Sequence, residues 1–155
     1  MKKSMQSKTV TESATETSYL ALPADANTIG SIFGGRIMEM MDMTAAICAR
    51  RHSNLRVVTV AVEGMRFYQP LQVGLVIKFL ASVNRAFSSS MEVGIKVMGE
   101  DTYLGQEFHA ASAYFVIVGL DEKGKPAKAP ELVPETEAEK RRWQEAEERR
   151  QKRKE

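Results

Sequence analysis

Asn27-Thr28-Ile29-Gly30-Ser31-Ile32-Phe33-Gly34-Gly35-Arg36-Ile37-Met38-Glu39-Met40-Met41-Asp42-Met43-Thr44-Ala45-Ala46 is the stretch around which the other segments have to fold. From Gly35 to Arg50 it reads as one helix, apolar on nearly every face. Such a helix has to be wrapped, because it cannot lie on a surface. Gly34 and Gly35 open it. Arg50, Arg51 and His52 close it, where cations suit the negative end of the helix dipole, and Ser53-Asn54 ends it. Asp42 sits in the middle of this apolar rod. A carboxylate there is costly unless it is paired, protonated or used.

On the N-terminal side, Pro23-Ala24-Asp25-Ala26-Asn27 is turn chemistry, and Tyr19-Leu20-Ala21-Leu22 reads as a short edge strand stopped by Pro23. Residues 1–17, rich in Ser, Thr, Lys and Glu, read as a flexible tail. On the C-terminal side the period changes to two. Val58, Val60 and Val62 alternate with Thr59, Ala61 and Glu63 in a strand over Val57–Tyr68. Further strands are expected over Val76–Val83, Ser90–Met98 and Gln106–Leu120, joined by links short enough for hairpins. Ala113-Tyr114-Phe115-Val116-Ile117-Val118 is apolar on both faces. One face can cover the helix, and the other is expected to meet a second subunit. Thr136 with Glu139 forms a capping box that starts a charged C-terminal helix.

This order predicts an α+β fold: a largely antiparallel sheet wrapped about one long central helix, followed by a polar C-terminal helix. The expected divisions are a tail over 1–17, the main domain over 18–134 and the charged helix over 135–155.

Composition narrows the functional classes. With 155 residues, 43% apolar and 27% charged, the chain is that of one globular domain. No run of about 18 apolar residues predicts a membrane span. Met1 to Lys8 begins like a signal peptide but lacks the apolar stretch that should follow. Cys48 is the sole cysteine and falls within the apolar helix, which suits a reducing, cytoplasmic setting. A net charge of +2 is too small to argue for nucleic acid on its own, and no nucleic-acid partner is expected. Arg149-Arg150-Gln151-Lys152-Arg153-Lys154 reads as a solvated helix end rather than a phosphate patch, because acids interleave and the cations complement the dipole.

Several standard sites can be set aside. The Gly30, Gly34, Gly35 run lacks the Lys-Ser/Thr of a P-loop. With His52, His109 and one cysteine, no zinc-ligand spacing exists, and no metal or cofactor is expected. There is no Gly-x-Ser-x-Gly elbow. What remains is a glycine-opened helix N-terminus with an acid two turns downstream. Exposed N–H groups at Gly34 and Gly35 can stabilise an oxyanion developing on a carbonyl. Asp42 can serve as general base toward water or as nucleophile. The blander alternatives stand beside this: glycines that only allow close packing, and an Asp42 that only pairs with Arg36 or with another, unidentified cation. Geometry sharpens the choice. Eight residues of helix separate Gly34 from Asp42 by about 12 Å, whereas attack needs about 3–3.5 Å. If both serve one reaction, they come from two chains related by a two-fold axis.

Leu22 to Asp42 resembles the signature of the hotdog-fold acyl-CoA thioesterases, close to the YciA-type and cytosolic long-chain acyl-CoA hydrolases. Val57 to Phe67, Ser90-Met91-Glu92-Val93 and Pro134-Glu135-Thr136-Glu137 are similar to further blocks of that family, so the match covers roughly Tyr19 to Pro134. The resemblance implies a hotdog fold and hydrolysis of an acyl-CoA to a free acid and CoA. It implies sites at a dimer interface, often within a trimer of dimers. On the matching positions, Asp42 is the catalytic acid, Gly34 supplies the N–H that polarises the carbonyl, and Asn27 lies near the attacking water. For the phosphates of CoA, which need basic or N–H donors, the candidates are Arg66 with the hairpin Arg85, Ser88, Ser89 and Ser90, and Gly35 at the helix start. Met38, Met40, Met41 and Met43 could line an acyl tunnel with adaptable side chains. A non-catalytic acyl-CoA sensor of the same fold is the alternative. A dehydratase ranks last, because His52 lies past the end of the helix.

Overall fold

The computed structural model describes residues 6–154. Along the chain these form β1 (Lys8–Thr9), α1 (Val10–Ser13), β2 (Thr15–Leu20), a 3-10 turn (Pro23–Asp25) and α2 (Gly34–Ser53). There follow β3 (Arg56–Phe67), β4 (Val76–Ala86), β5 (Ser90–Asp101), β6 (Gln106–Leu120), β7 (Leu132–Val133) and α3 (Glu137–Lys154). The main sheet has five strands in the order β2-β4-β5-β6-β3, every neighbouring pair antiparallel. The sequence assigned this architecture, with α2 as the central helix.

The two periods of the sequence explain the packing. On α2, Ile37, Met40, Met41, Thr44, Ala45, Cys48, Ala49 and His52 are buried, the three-and-four spacing of one helix face. On β5, Met91, Val93, Ile95 and Val97 are buried and supply the facing layer, together with Phe79 of β4 and Phe115 and Ile117 of β6. Asn54 stops α2 in the left-handed conformation (φ 57), and its N–H bonds the Arg50 carbonyl. The wrapping is one-sided. Met38, Met43 and Ile47 on α2, and Val58, Val60 and Val62 on β3, are exposed in the single chain.

Three expectations are corrected. The segment read as a loose tail is structured from Lys8 onward. β1 pairs in parallel with β7, the Lys8 Nζ bonds the Arg51 carbonyl and Asn54, and Val10 enters the core. Residues 1–5 lie outside the described residues. Secondly, the outer apolar face of β6, expected to be left for a second subunit, meets this chain's own α3 over part of its length. Arg149 of α3 stacks 3.7 Å from the Tyr114 ring centroid, and Val116 is buried opposite Glu92. Thirdly, the basic end of α3 is not simply solvated. Arg149 makes paired bonds of 3.0 and 2.6 Å to Glu92, which is fully buried on β5 and also accepts from Asn84. Arg153 pairs with Glu63 at 2.8 Å.

Candidate active site

The loop before α2 is held by two short-range anchors. The Asp25 carboxylate accepts from the Leu22 N–H, the Tyr19 hydroxyl and the Arg36 guanidinium. The Leu22 N–H bond, with Tyr19 and Arg36 behind it, outweighs desolvation and holds this carboxyl below the usual range, so it is ionised at neutral pH. Its backbone carbonyl accepts the Phe33 N–H, which fixes where the helix begins. Asn27 is the second anchor. Its side-chain oxygen accepts from Ile29 N and Ser31 N, and its amide donates to Ser31 Oγ at 2.8 Å, an Asx turn closed over Gly30 at φ +86. Asn27 is therefore committed to its own loop, two amide bonds and one hydroxyl bond deep.

Phe33 stands as the N-cap, and Gly34 and Gly35 occupy the first turn, where N–H groups have no intrahelical acceptor. No acceptor from elsewhere reaches either group among the described residues. Gly34 also lies close to β3: a Cβ placed on it would lie 3.4 Å from the Phe67 ring. Two turns along, Asp42 is exposed and accepts a 2.6 Å hydrogen bond from Thr59 Oγ1 through Oδ1. Its Oδ2 carries no bond among the described residues. Arg36 pairs with Asp25 and Glu39, not with Asp42. The bland explanation of Asp42 as half of an ion pair with Arg36 is thereby removed.

Thr59 and Phe67 were missed by sequence reasoning. Each is brought to the helix by β3, and nothing in strand periodicity says which strand residue meets which helix residue. The signal available was weak: Thr59 is a hydroxyl on the non-valine side of an alternating strand.

The proposed phosphate-binding residues do not come together within the chain. Arg66 is paired with Ser112 on β6, whereas Ser90 at the β4–β5 hairpin is opposite Val118. Six residues of β6 separate these positions, about 20 Å at 3.3 Å per residue. Arg85 is taken up by α3, with its guanidinium 3.3 Å from the Trp143 ring centroid and bonded to the Trp143 carbonyl. In the hairpin, Ser88 and Ser89 lend their carbonyls to Ala129 N and Gly119 N, and Ser90 accepts from Phe87 N. Among these candidates Arg66 and Ser88 are exposed, and Gly35 is exposed at the helix start.

The other polar groups of the region are structural. His52 is buried, with Nε2 2.7 Å from the Pro130 carbonyl. Burial pushes its imidazole pKa below the ordinary value, against the pull of that carbonyl. Cys48 is buried, and desolvation pushes its thiol up to about 11.

Residues 29–106, from the loop before α2 to the start of β6, match the family model of the thioesterase superfamily. The chain belongs to the thioesterase superfamily. Among its relatives, the acyl-CoA thioester hydrolase YciA of Salmonella typhimurium is 40% identical over 114 residues, covering 72% of this chain and 86% of its own. An acyl-CoA hydrolase from Staphylococcus aureus, solved with butyryl coenzyme A, coenzyme A and coenzyme A disulfide, superposes with a TM-score of 0.89. That match has 33% identity over 94% of this chain and 89% of that one. A hexameric thioesterase from Yersinia pestis superposes with a TM-score of 0.69 and 39% identity, over 74% of this chain and 93% of its own. The hotdog arrangement expected from the sequence is thus the fold of the superfamily, and no helix among the described residues is long and apolar enough to cross a membrane.

Proposed function

We propose that this chain hydrolyses acyl-CoA thioesters to a free acid and coenzyme A at a site completed by two copies of itself. The carbonyl oxygen rests on the Gly34 N–H of one copy, and Asp42 comes from the other. The relatives named above support the substrate class.

The observation that carries the composite site is a coincidence of midpoints. Along α2, Phe67 marks the Gly34 end and Thr59 marks the Asp42 end, so β3 runs antiparallel to this part of the helix. Met38 lies midway between Gly34 and Asp42, and Glu63 lies midway between Thr59 and Phe67. A two-fold axis through Met38 and Glu63 therefore lays Asp42 and Thr59 of one copy against Phe67 and the partner's Gly34. The same axis pairs β3 with its copy along the edge that the five-stranded sheet leaves open. It also covers exposed apolar surface: Val60 is 58% exposed, Met43 51% and Val58 44%. The hexameric relative supports a homo-oligomer, and three such dimers would make a hexamer.

At this site the helix N-terminus supplies two unpaired N–H groups aimed along the positive end of the dipole, where an oxyanion develops. Thr59 donates to Asp42 Oδ1 and so fixes the carboxylate while leaving Oδ2 to act. Oδ2 either takes a proton from water as the water oxygen attacks the carbonyl, or attacks the carbonyl itself. In both routes the carbon–sulfur bond breaks and CoA leaves as thiolate. The first route gives the free acid directly, with the water oxygen in its carboxyl group. The second leaves an anhydride between the acyl group and Asp42, which a water then hydrolyses to the free acid and the regenerated carboxylate. Arg66, Gly35 and the serines of the β4–β5 hairpin, of which Ser88 is exposed, remain the proposed contacts for the CoA phosphates. Their 20 Å separation within one chain means that different copies would supply them. A cytoplasmic setting belongs to the same reading, with Cys48 a buried free thiol.

The test is thiol release from acyl-CoA esters by the parent and by Asp42→Asn. Loss of two or more orders of magnitude in kcat with little change in binding is expected, since the group acts in the transition state. A fully active Asp42→Asn would remove Asp42 from the chemistry. CoA binding without turnover at any chain length would favour a sensor.

A further inference from the structure

The C-terminal end of α2 opens on a groove of about 770 Å³ between this helix and the start of β3. Arg50, Arg51 and Arg56 line it, all three exposed, together with Ile47, Leu55 and Val57. The groove continues the seam that holds Asp42. Met43, Ile47 and Arg50 are exposed at four-and-three spacing, on the helix face that begins beside Asp42. On β3, Val57 lies two residues before Thr59, on the same side of the strand. Arg50 is eight residues from Asp42, about 12 Å along the helix.

Cations at a helix end commonly do no more than complement the dipole. The end of α2 is already served without these side chains. The Arg50 carbonyl accepts from the Asn54 N–H, and the Arg51 carbonyl accepts from Lys8 Nζ. Arg56 lies outside the helix, on β3. The dipole leaves about half a negative charge at this end, against three guanidinium groups and the Lys8 ammonium. No acid lines the groove, and the ion-paired arginines among the described residues are Arg36, Arg85, Arg141, Arg149 and Arg153. Arg51 donates through Nη1 to Thr15 Oγ1. A guanidinium carries five donors in a planar fork that matches phosphate oxygens, so most of the donors here are unused.

We infer that this groove binds a nucleotide carrying more than one phosphate, with the phosphates on the arginines and the base against Ile47, Leu55 and Val57. That chemistry has two sources: the nucleotide of the CoA ester, or a free nucleotide acting on the enzyme. The first source rests on the hydrolase reading. The groove and Asp42 belong to one chain, and the pantetheine arm of CoA covers the distance between them without being fully extended. The β4–β5 hairpin also stands beside the groove. Ser89 lends its carbonyl to the Gly119 N–H, and Gly119 pairs with Val57, so two strand spacings, about 10 Å, separate them. The second source needs the groove alone.

The experiment is calorimetric binding of ADP to the parent, to Arg50→Glu with Arg56→Glu, and to Arg142→Glu with Lys152→Glu. The last pair makes the same change of charge on exposed positions of α3. The parent is expected to bind ADP, and the groove pair to weaken it about tenfold or more. The α3 pair is expected to leave the affinity alone. Arg50→Gln with Arg56→Gln removes the charges without reversing them, and it decides the matter should the reversed pair misfold. Turnover of an acyl-CoA and of the matching S-acyl pantetheine then separates the sources. If CoA supplies the nucleotide, the groove pair raises KM for the acyl-CoA about tenfold or more, keeps kcat, and leaves the acyl pantetheine unaffected. If a free nucleotide supplies it, ADP changes turnover of the acyl pantetheine by the parent and not by the groove pair, and KM for the acyl-CoA is kept. A parent that binds no ADP, or equal weakening by the groove and α3 pairs, overturns the inference. Absence of turnover with every ester would instead strike the hydrolase reading and leave the binding result to stand.

Discussion

Replacing Gly34 with proline deletes one hydrogen-bond donor and little else. Gly34 is the first residue of α2, with Phe33 as N-cap. Proline is favoured there because its fixed φ suits the helix and the missing N–H has no intrahelical use. The residue before it must be extended, and Phe33 already is, at φ −55 and ψ 132. The added Cβ meets the Phe67 ring at 3.4 Å, an ordinary contact. Removal of one preorganised oxyanion donor costs about 10²–10³ in kcat, about 2.7–4 kcal/mol in the transition state. Gly34→Ala carries the same Cβ but keeps the N–H, so it is expected to remain within about tenfold of the parent. The assay is release of CoA thiol read with a thiol reagent. Cys48, buried and with its pKa raised to about 11, stays silent in the folded protein. Thermal midpoints of the two variants, compared with the parent, show whether the fold is kept. If Gly34→Pro retains a fold like the parent's and turns over as fast as Gly34→Ala, the N–H does no chemistry and the assignment of Gly34 fails.

Two further outcomes follow from the packing. Arg149→Ala leaves the Glu92 carboxylate buried without its cation and is expected to cost about 3–5 kcal/mol of stability by denaturant unfolding. A loss below about 1 kcal/mol would mean that α3 does not clamp the sheet. His52 titrates below its ordinary value of 6.5 in the folded protein, so the unfolded chain binds more protons as pH falls past that value. Its contribution is fully present above about pH 6.5 and is lost progressively as pH falls from there through the folded pKa. The thermal midpoint of the parent should therefore drop more between pH 7 and pH 5 than that of His52→Gln; equal drops would contradict this.

The parts legible in the sequence were those set by period and by end signals. Met40, Met41, Thr44, Ala45 and Cys48 repeat at three and four, and Arg50 to Asn54 marks an end, so α2 was read to within a turn at its C-terminus and one residue at its start. Gln106–Leu120 was read with the bounds the strand has. What escaped depends on contacts between distant residues. Glu92 looked like an ordinary solvent-facing residue of an alternating strand. Only the return of α3, 57 positions later, buries it beneath Arg149. The same return used up Arg85, so a residue that read as a phosphate ligand became part of a stack on Trp143. The β1–β7 pair joins residues 124 positions apart, and two-residue strands carry no period at all. In the site, Asp42 and Gly34 announced themselves as an acid in an apolar helix and a glycine at its start. Thr59 and Phe67 did not, because register between a helix and a strand is set by packing.

The central claim is that neither copy owns a whole site, and subunit mixing tests it directly. Asp42→Asn and Gly34→Pro, each inactive alone, are unfolded together and refolded in equal amounts. Random pairing makes about half of the dimers mixed, and each mixed dimer has one intact site of its two, combining Asp42 of one protomer with the partner's Gly34. The account predicts recovery of about a quarter of the parent activity from this mixture. Recovery no greater than the sum of the two separate variants would contradict it.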